Sequence, residues 1–448
     1  MLFQKRKKMF KQKGNFQKAL QELSKDTNNV VSQVIDKQNE NDGILKGVVY
    51  TLKDNYATKE YETKASSKTL ENFKPLYNSS VYQRLVDQGA SMVAKVHCDE
   101  FGLGGTGTFS AYGIIKNPLD STRLAGGSSS GSAASMFYDI GFSIGSDTGD
   151  SVRLPASWIG KVGFKPSYGA ISRYGLFTYA SSLDTVAYFS HNVSDAIVLS
   201  KVLYGKDKKD MSSVEVSLEK TQETKPKKIA YFNCFNELSK EVAQSFKNLI
   251  KFLESQGIEM VKIEIDYQMM NNIKYVYDII SYSEAFSNLS NIKGLHFGKT
   301  FDKDDFDSWK ELCLKNRSTF FGDMVQRRLL LGSIFLDENN IDQTFFKAKR
   351  LRYSIYKYLS KIFEENEVLI YPAYKDIAPK FDEQNEQNYM DFILSSSNLV
   401  GNPSITIPFG TKDNMPFGIN INTNLYEDAK LLSYSLYFEK ILKGQKHE

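Results

Sequence analysis

Histidine is scarce in this chain: His97, His191, His296 and His447 are the four in 448 residues. None stands in a glycine- or serine-rich turn, so the commonest general base has no local hydroxyl partner. A serine–histidine–aspartate triad stays open, because its members need to meet only in space. Cysteine is scarcer still. Cys98, Cys234 and Cys313 are odd in number and widely separated. They form no disulfide framework and no metal-ligand pattern, which suits a reducing cytoplasm. No apolar run approaches the ~20 residues of a membrane span. Excess charge is missing too: 57 Lys and Arg against 53 Asp and Glu leave +4, too little to announce a nucleic-acid binder. The basic start, QKRKKMFKQK, has no apolar segment behind it and is not read as a signal peptide. No GxxxxGK[ST] pattern occurs, so ATP is not expected to bind this chain.

A hydrophobic content of 41% and an aromatic content of 13% permit a substantial core. The length fits one large α/β domain or two ordinary ones. Residues 1–42 are polar and charged. There the spacings of Phe16, Leu20 and Leu23, and of Val30, Val31 and Val34, predict one or two short helices. The Lys5–Lys13 cluster reads first as a solvated terminus, and second as a contact for RNA or a partner. Gly47–Asn55 predicts a buried strand ending at Lys53. A helix at 81–89, a strand at 90–96, a polar linker at 205–227 and a second α/β portion at 228–448 follow. The latter carries strands at 228–232, 258–265, 368–371, 404–408 and 417–421, and helices around Phe246–Leu253, 321–336 and 428–442.

The stretch Gly126–Pro155, GGSSSGSAASMFYDIGFSIGSDTGDSVRLP, carries the chemistry. Two Gly/Ser turns flank a small-residue segment, bringing hydroxyls and bare backbone N–H groups close in sequence. Acyl transfer needs both: a serine nucleophile, and N–H donors for the oxyanion it creates. The better local base is a lysine. Lys53 follows the apolar run Val48–Leu52, where burial disfavours its ammonium form.

KGVVYTLKDN, KVHCDEFGLGGTGTFSAYG, GGSSSGSAA and GSDTGDSVRLPA together resemble the amidase signature family of Ser–Ser–Lys hydrolases. FKPSYGAISRYGLFTYASSLDT is similar to the A-subunit branch, the glutaminases of aminoacyl-tRNA amidotransferases. The resemblance runs from about Gly43 onward. It implies a single amidase-signature domain over 43–448, with a mixed central sheet sandwiched by helices and a catalytic core at 43–204. It implies Lys53 as base, Ser128 as bridge after a cis Gly127–Ser128 bond, and Ser151 as nucleophile. The N–H groups of Thr148, Gly149, Asp150 and Ser151 would form the oxyanion hole. Ser129, Ser130 and Ser132 read as turn and helix-start residues. Arg328, with Arg327 in reserve, would grip the α-carboxylate of glutamine, and Asp391 its α-amino group. Ser181–Asp184 and Arg173–Gly175 would be pocket walls. His97 and Cys98 stand where Asn and Met are expected and read as pocket floor, not as a metal site.

Asp150 departs from the family's glycine. It keeps its N–H, yet a carboxylate there opposes an oxyanion unless it is paired, and Arg153 is the candidate partner. The resemblance further implies glutamine hydrolysis feeding ammonia to Glu-tRNA(Gln) or Asp-tRNA(Asn), and B and C subunits as partners. ATP and Mg²⁺ would sit in the B subunit, which would also make most of the tRNA contact. No cofactor or metal is expected in this chain, and no membrane contact. A stand-alone amidase and a scaffold with weakened glutaminase activity are the alternatives.

Overall fold

Strands whose side chains are buried on both faces set the architecture. The computed structural model describes residues 10–296, 298–302, 306–383 and 386–444. Most of the Lys5–Lys13 cluster lies outside them. Eleven strands form one sheet among the described residues. They are β1 Val31–Val34, β2 Val49–Lys53, β3 Ser91–Val96, β4 Phe142–Asp147, β5 Val162–Lys165, β6 Thr185–Ser190, β7 Lys228–Phe232, β8 Glu259–Ile263, β9 Val368–Pro372, β10 Ser404–Lys412 and β11 Met415–Asn422. Their spatial order is β1-β3-β2-β4-β6-β5-β10-β11-β9-β7-β8. β2 runs parallel to β3 and β4, and β7 to β8 and β9. The remaining pairs are antiparallel, so the sheet is mixed.

β2, β3, β4 and β6 are buried at every position, the mark of strands covered on both faces. Alternate residues divide between two apolar clusters. Tyr50, Leu52, Met92 and Tyr188 face one; Val49, Val93, Ala187 and Phe189 face the other. The second cluster is closed by Phe16, Ala19 and Leu23 of the helix Phe16–Leu23 and by Ala133 and Ala134 of Ser130–Ser135. The first takes the apolar stripe Val242, Phe246, Leu249, Ile250 and Leu253 of the helix Lys240–Ser255.

The N-terminal segment corrects one expectation. Phe16–Leu23 is helical, but Val31–Val34 is a strand, paired antiparallel with β3. The carboxylate of Asp26 accepts the N–H groups of Asn28, Val30 and Val31, turning the chain onto the open edge of β3. There β-branched valines fit a pleated surface better than a helix. Val31–Val34 therefore belongs to the same sheet as the rest. The stretch 205–227 is irregular, yet Ser213, Val216, Leu218 and Thr221 are buried.

Candidate active site

Lys53 ends β2 with its side chain fully buried. Its Nζ lies 2.8 Å from Ser128 Oγ, 2.9 Å from Ser146 Oγ and 3.1 Å from Ser129 Oγ. Ser129 gives its own proton to the Ser146 carbonyl at 3.0 Å, so it can only accept from the lysine. A neutral amine has two protons and one lone pair. It can therefore donate to two of these hydroxyls and accept from the third. Burial lowers the Lys53 pKa, opposed by the nearby acidic groups Cys98, Asp99, Asp147 and Asp184. The cage and the desolvation both fit a base.

The two turns are tied to each other. Ser129 N–H donates to the Ser151 carbonyl at 3.2 Å, and Asp99 N–H to the Ser128 carbonyl at 3.1 Å. The Gly127–Ser128 bond is cis, as the resemblance implies. A Cβ on Gly145 of β4 would meet Ser129 Oγ at 2.8 Å, so only glycine lets the serine turn lie against that strand. Ser128 and Ser151 are 2% and 4% exposed. Among the described residues no hydrogen bond joins their hydroxyls, and relay contacts commonly tighten only when substrate is bound.

The backbone N–H groups of Thr148, Gly149, Asp150 and Ser151 donate no hydrogen bond among the described residues. The side chains around them fix their direction. Thr148 Oγ1 donates to Asp184 Oδ1 at 2.7 Å. Arg153 Nη2 donates to the Gly149 carbonyl at 2.7 Å. In a planar trans peptide the N–H opposes the C=O, so the Asp150 N–H points away from Arg153. Preorganised donors without a partner are what an oxyanion requires.

Arg153 is not the partner of Asp150, which corrects the sequence reading. Its guanidinium is completely buried and pairs with Asp147 at 2.8 Å. It also donates to Leu394 O, Ser397 Oγ and Asn398 Oδ1 at 2.5–2.8 Å. Arg153 thus pins the start of the helix Arg153–Ile159 to the segment before β10. Burial is the largest single influence and opposes ionisation of Asp147, but Arg153, Lys165 and the Val152 N–H together outweigh it and hold that carboxyl below its usual value. Asp147→Asn should cost about 3–5 kcal/mol by leaving Arg153 buried and unpaired; a fall in urea midpoint at unchanged slope measures it.

Asp150 is half-buried, and its carboxylate makes no hydrogen bond or ion pair among the described residues. Burial and then Asp147 push its pKa up to about 7, while Arg153 and Arg328 pull the other way.

Arg328 and Arg327 are neighbours on the helix Asp323–Phe335, where their side chains point about 100° apart. Arg327 is exposed, whereas Arg328 turns inward. Arg328 Nη1 donates to Tyr179 Oη at 2.9 Å. The guanidinium sits 5.1 Å from the Tyr282 ring centre and 5.6 Å from that of Tyr179. Its Nε is buried without a partner, a vacant donor of the kind a carboxylate fills. Tyr277 of the helix Tyr267–Asn288 covers Gly149, where a Cβ would lie 2.8 Å from its ring.

Asp391 stands apart from this group. Lys375 Nζ donates to its Oδ2 at 2.9 Å, and Asn388 N–H to the same oxygen at 2.8 Å. No hydrogen bond or ion pair links Asp391 to Arg328 among the described residues. His97 and Cys98 are buried; His97 Nδ1 lies 3.1 Å from Ser66 Oγ. No group of three or more His, Cys, Asp and Glu suited to a metal occurs among the described residues, and no helix is long and apolar enough to cross a membrane.

Sequence reading missed the roles of Ser146, Ser129 and Asn55. Asn55 Nδ2 donates to Ser146 Oγ at 3.2 Å, completing the cage around Lys53. Strand alternation would not have found Ser146: the β2–β4 register sets Leu52 opposite Ile144, which gives Ser146 the parity of the face opposite Lys53.

A family model described as Amidase matches residues 3–432. The glutamyl-tRNA(Gln) amidotransferase A subunit of Mycoplasma genitalium is 37% identical over 436 residues, covering 94% of this chain and 91% of that protein. The protein of the same name from Prochlorococcus marinus is 36% identical over 417 residues, covering 90% and 85%. The crystal structure of its counterpart from Thermotoga maritima aligns with a TM-score of 0.73 at 28% identity, covering 96% of each chain. A crystal structure of an amidase aligns with a TM-score of 0.79 at 25% identity, covering 95% of each. With the family model spanning most of its length and relatives at 36 and 37% identity along nearly all of it, the chain belongs to the Amidase family.

Proposed function

We propose that this chain is the glutamine-hydrolysing component of a tRNA-dependent amidotransferase, acting through Lys53, Ser128 and Ser151. The single observation that carries the reading is the buried Lys53 amine 2.8 Å from Ser128 Oγ, on a turn bonded to the backbone of Ser151. The names and near-complete coverage of the relatives support the choice of substrate.

Ser151 Oγ attacks the side-chain amide carbon of glutamine. Its proton passes through the Ser128 hydroxyl to the neutral Lys53 amine. The N–H groups of Thr148 to Ser151 hold the oxyanion. As the tetrahedral species collapses, Lys53 returns the proton through Ser128 to the leaving nitrogen, and ammonia departs. Water then attacks the acyl-serine along the same relay and releases glutamate.

Arg328 offers its vacant guanidinium edge to the α-carboxylate. Arg328→Ala should raise KM and lower kcat/KM about 10- to 100-fold, the worth of a charge-assisted hydrogen bond. Arg327→Ala should stay within about twofold, as exposed positions usually do. Steady-state glutamine hydrolysis measures both.

In this reading the ammonia serves B and C subunits in the cytoplasm. ATP and Mg²⁺ belong to the B subunit, which also holds most of the misacylated tRNA, charged with Glu or Asp. Asp150 favours one second reading, a scaffold whose glutaminase power is weakened. The test is amidation of misacylated tRNA by the assembled subunits, with glutamine or free ammonium as donor. The proposal requires glutamine to serve, and Ser151→Ala to remove glutamine use while ammonium use persists. Amidation with ammonium alone by the wild type would establish the scaffold. Glutamine hydrolysis by this chain free of partners, with no tRNA amidation in their presence, would point to a stand-alone amidase.

A further inference from the structure

Glu100 is a buried carboxylate with no part in the proton relay. It is 1% exposed, in the short helical turn Glu100–Gly102. Burying a carboxylate is costly unless donors reach it. Two do, from segments far apart in sequence. Ser67 Oγ donates to Oε1 at 2.5 Å, and the Gly322 N–H to Oε2 at 2.8 Å. Burial raises the Glu100 pKa to about 7, and these two donors oppose the rise.

Gly322 immediately precedes the helix Asp323–Phe335, which carries Arg328. Glycine has no side chain with which to cap that helix. Glu100 fills the role from outside, accepting the N–H that the glutamate of a capping box would accept. A Cβ on Gly322 would lie 2.6 Å from Oε2, so the carboxylate comes this close only because the position is glycine. The Phe101 and Phe321 rings meet edge to face beside this contact, 5.8 Å between centres.

The turn of Glu100 is also fastened to the catalytic serines. Asp99 N–H donates to the Ser128 carbonyl at 3.1 Å, and Gly102 N–H to the Asp99 carbonyl at 2.8 Å. A Cβ on Gly102 would lie 3.6 Å from Ser128 Oγ. Arg328, about 9 Å further along the helix, is tied in by a second route. It donates to Tyr179 Oη at 2.9 Å, Tyr179 N–H donates to Asp184 Oδ2 at 2.9 Å, and Thr148 Oγ1 donates to Asp184 Oδ1 at 2.7 Å. The helix is therefore held to the two catalytic turns at its start and at Arg328.

We propose that Glu100 is a positioning residue. By holding the start of the helix Asp323–Phe335 against the turn beside Ser128, it sets how far the Arg328 guanidinium stands from the reacting serine. The enzyme then favours amides whose carboxylate lies at that distance from the scissile bond. This rests on the glutaminase reading above and deepens it, because it assigns the spacing between carboxylate recognition and amide attack to a contact remote from both.

The test is steady-state glutamine hydrolysis by the full chain assembled with its B and C subunits. Gly322→Ala is the first variant. The Gly322 backbone is extended, φ −69° and ψ 161°, which alanine adopts without strain, so the added methyl group acts on the carboxylate. It should raise the glutamine KM about 5- to 20-fold and leave kcat within about twofold. Glu100→Ala should do the same. Glu100→Gln should stay within about threefold of wild type, because its amide oxygen accepts the Gly322 N–H while its NH₂ group donates to Ser67 Oγ. In an Arg328→Ala background, Gly322→Ala should cost less than about twofold more, since the group being positioned is gone. A purely structural loss would behave otherwise, lowering kcat through the folded fraction and leaving KM alone. An unchanged KM in Gly322→Ala overturns the assignment. So does a KM increase as large without Arg328 as with it, and in each case the glutaminase reading stands. A wild type that hydrolyses no glutamine removes that reading and this assignment with it.

Discussion

Lys53→Met is expected to abolish glutamine hydrolysis, lowering kcat by about 10,000-fold or more while the protein stays folded. The magnitude follows from serine hydrolases, where removing the base costs nearly as much as removing the whole catalytic unit. Methionine suits the site because it replaces the amine by an apolar atom of similar reach in a fully buried position. Lys53→Arg should be as inactive, since a guanidinium stays charged and cannot take a proton. The pH profile carries the sign of the argument. Burial depresses the Lys53 pKa from the ordinary 10.5. The active, neutral form therefore accumulates as pH rises through the depressed value, so kcat/KM should climb on its acid side and level off above it. In Lys53→Met the residual rate should lose that limb. Rates from about pH 5.5 to 9.5 for the two proteins provide the check.

Ser151→Ala should be equally severe, about 10,000-fold or more in kcat, with binding of glutamine retained. The N–H donors belong to the backbone of Thr148 to Ser151, and alanine keeps them. The double variant Lys53→Met with Ser151→Ala should be no worse than either single one, because the base has no purpose without the hydroxyl it serves. Additive losses would mean that the two residues act separately. Ser128→Ala should fall in the same class, whereas Ser146→Ala should retain more activity. It removes one of three hydroxyls around Lys53 and leaves the 2.8 Å contact to Ser128.

Much of this was legible because local chemistry and burial pointed the same way. An apolar run ending in lysine could be read as a buried strand, and the fully buried β2 carries Lys53 at its last position. The stripe Phe246, Leu249, Ile250 and Leu253 could be read as one helix face, and those residues are the buried ones of Lys240–Ser255. Val30–Val34 was misread because its helical spacing is short and also fits a strand; the open edge of β3, remote in sequence, decided it. The partners of Arg153 were out of reach for the same reason. Asp147 lies six residues away, but Leu394, Ser397 and Asn398 lie 241 to 245 away. Arg327 and Arg328 could not be told apart from the apolar run beside them, since adjacent helical residues point about 100° apart and only packing shows which faces in.

The acyl-enzyme itself tests the central claim most directly. The assembled protein is mixed with glutamine, quenched in acid during turnover and digested, and the peptide spanning Gly149–Lys161 is analysed by mass spectrometry. The account predicts a γ-glutamyl ester on Ser151, absent from Ser151→Ala and from Lys53→Met. An ester on another residue, Ser128 or Cys98 for instance, or steady glutamine hydrolysis by Ser151→Ala, would contradict it.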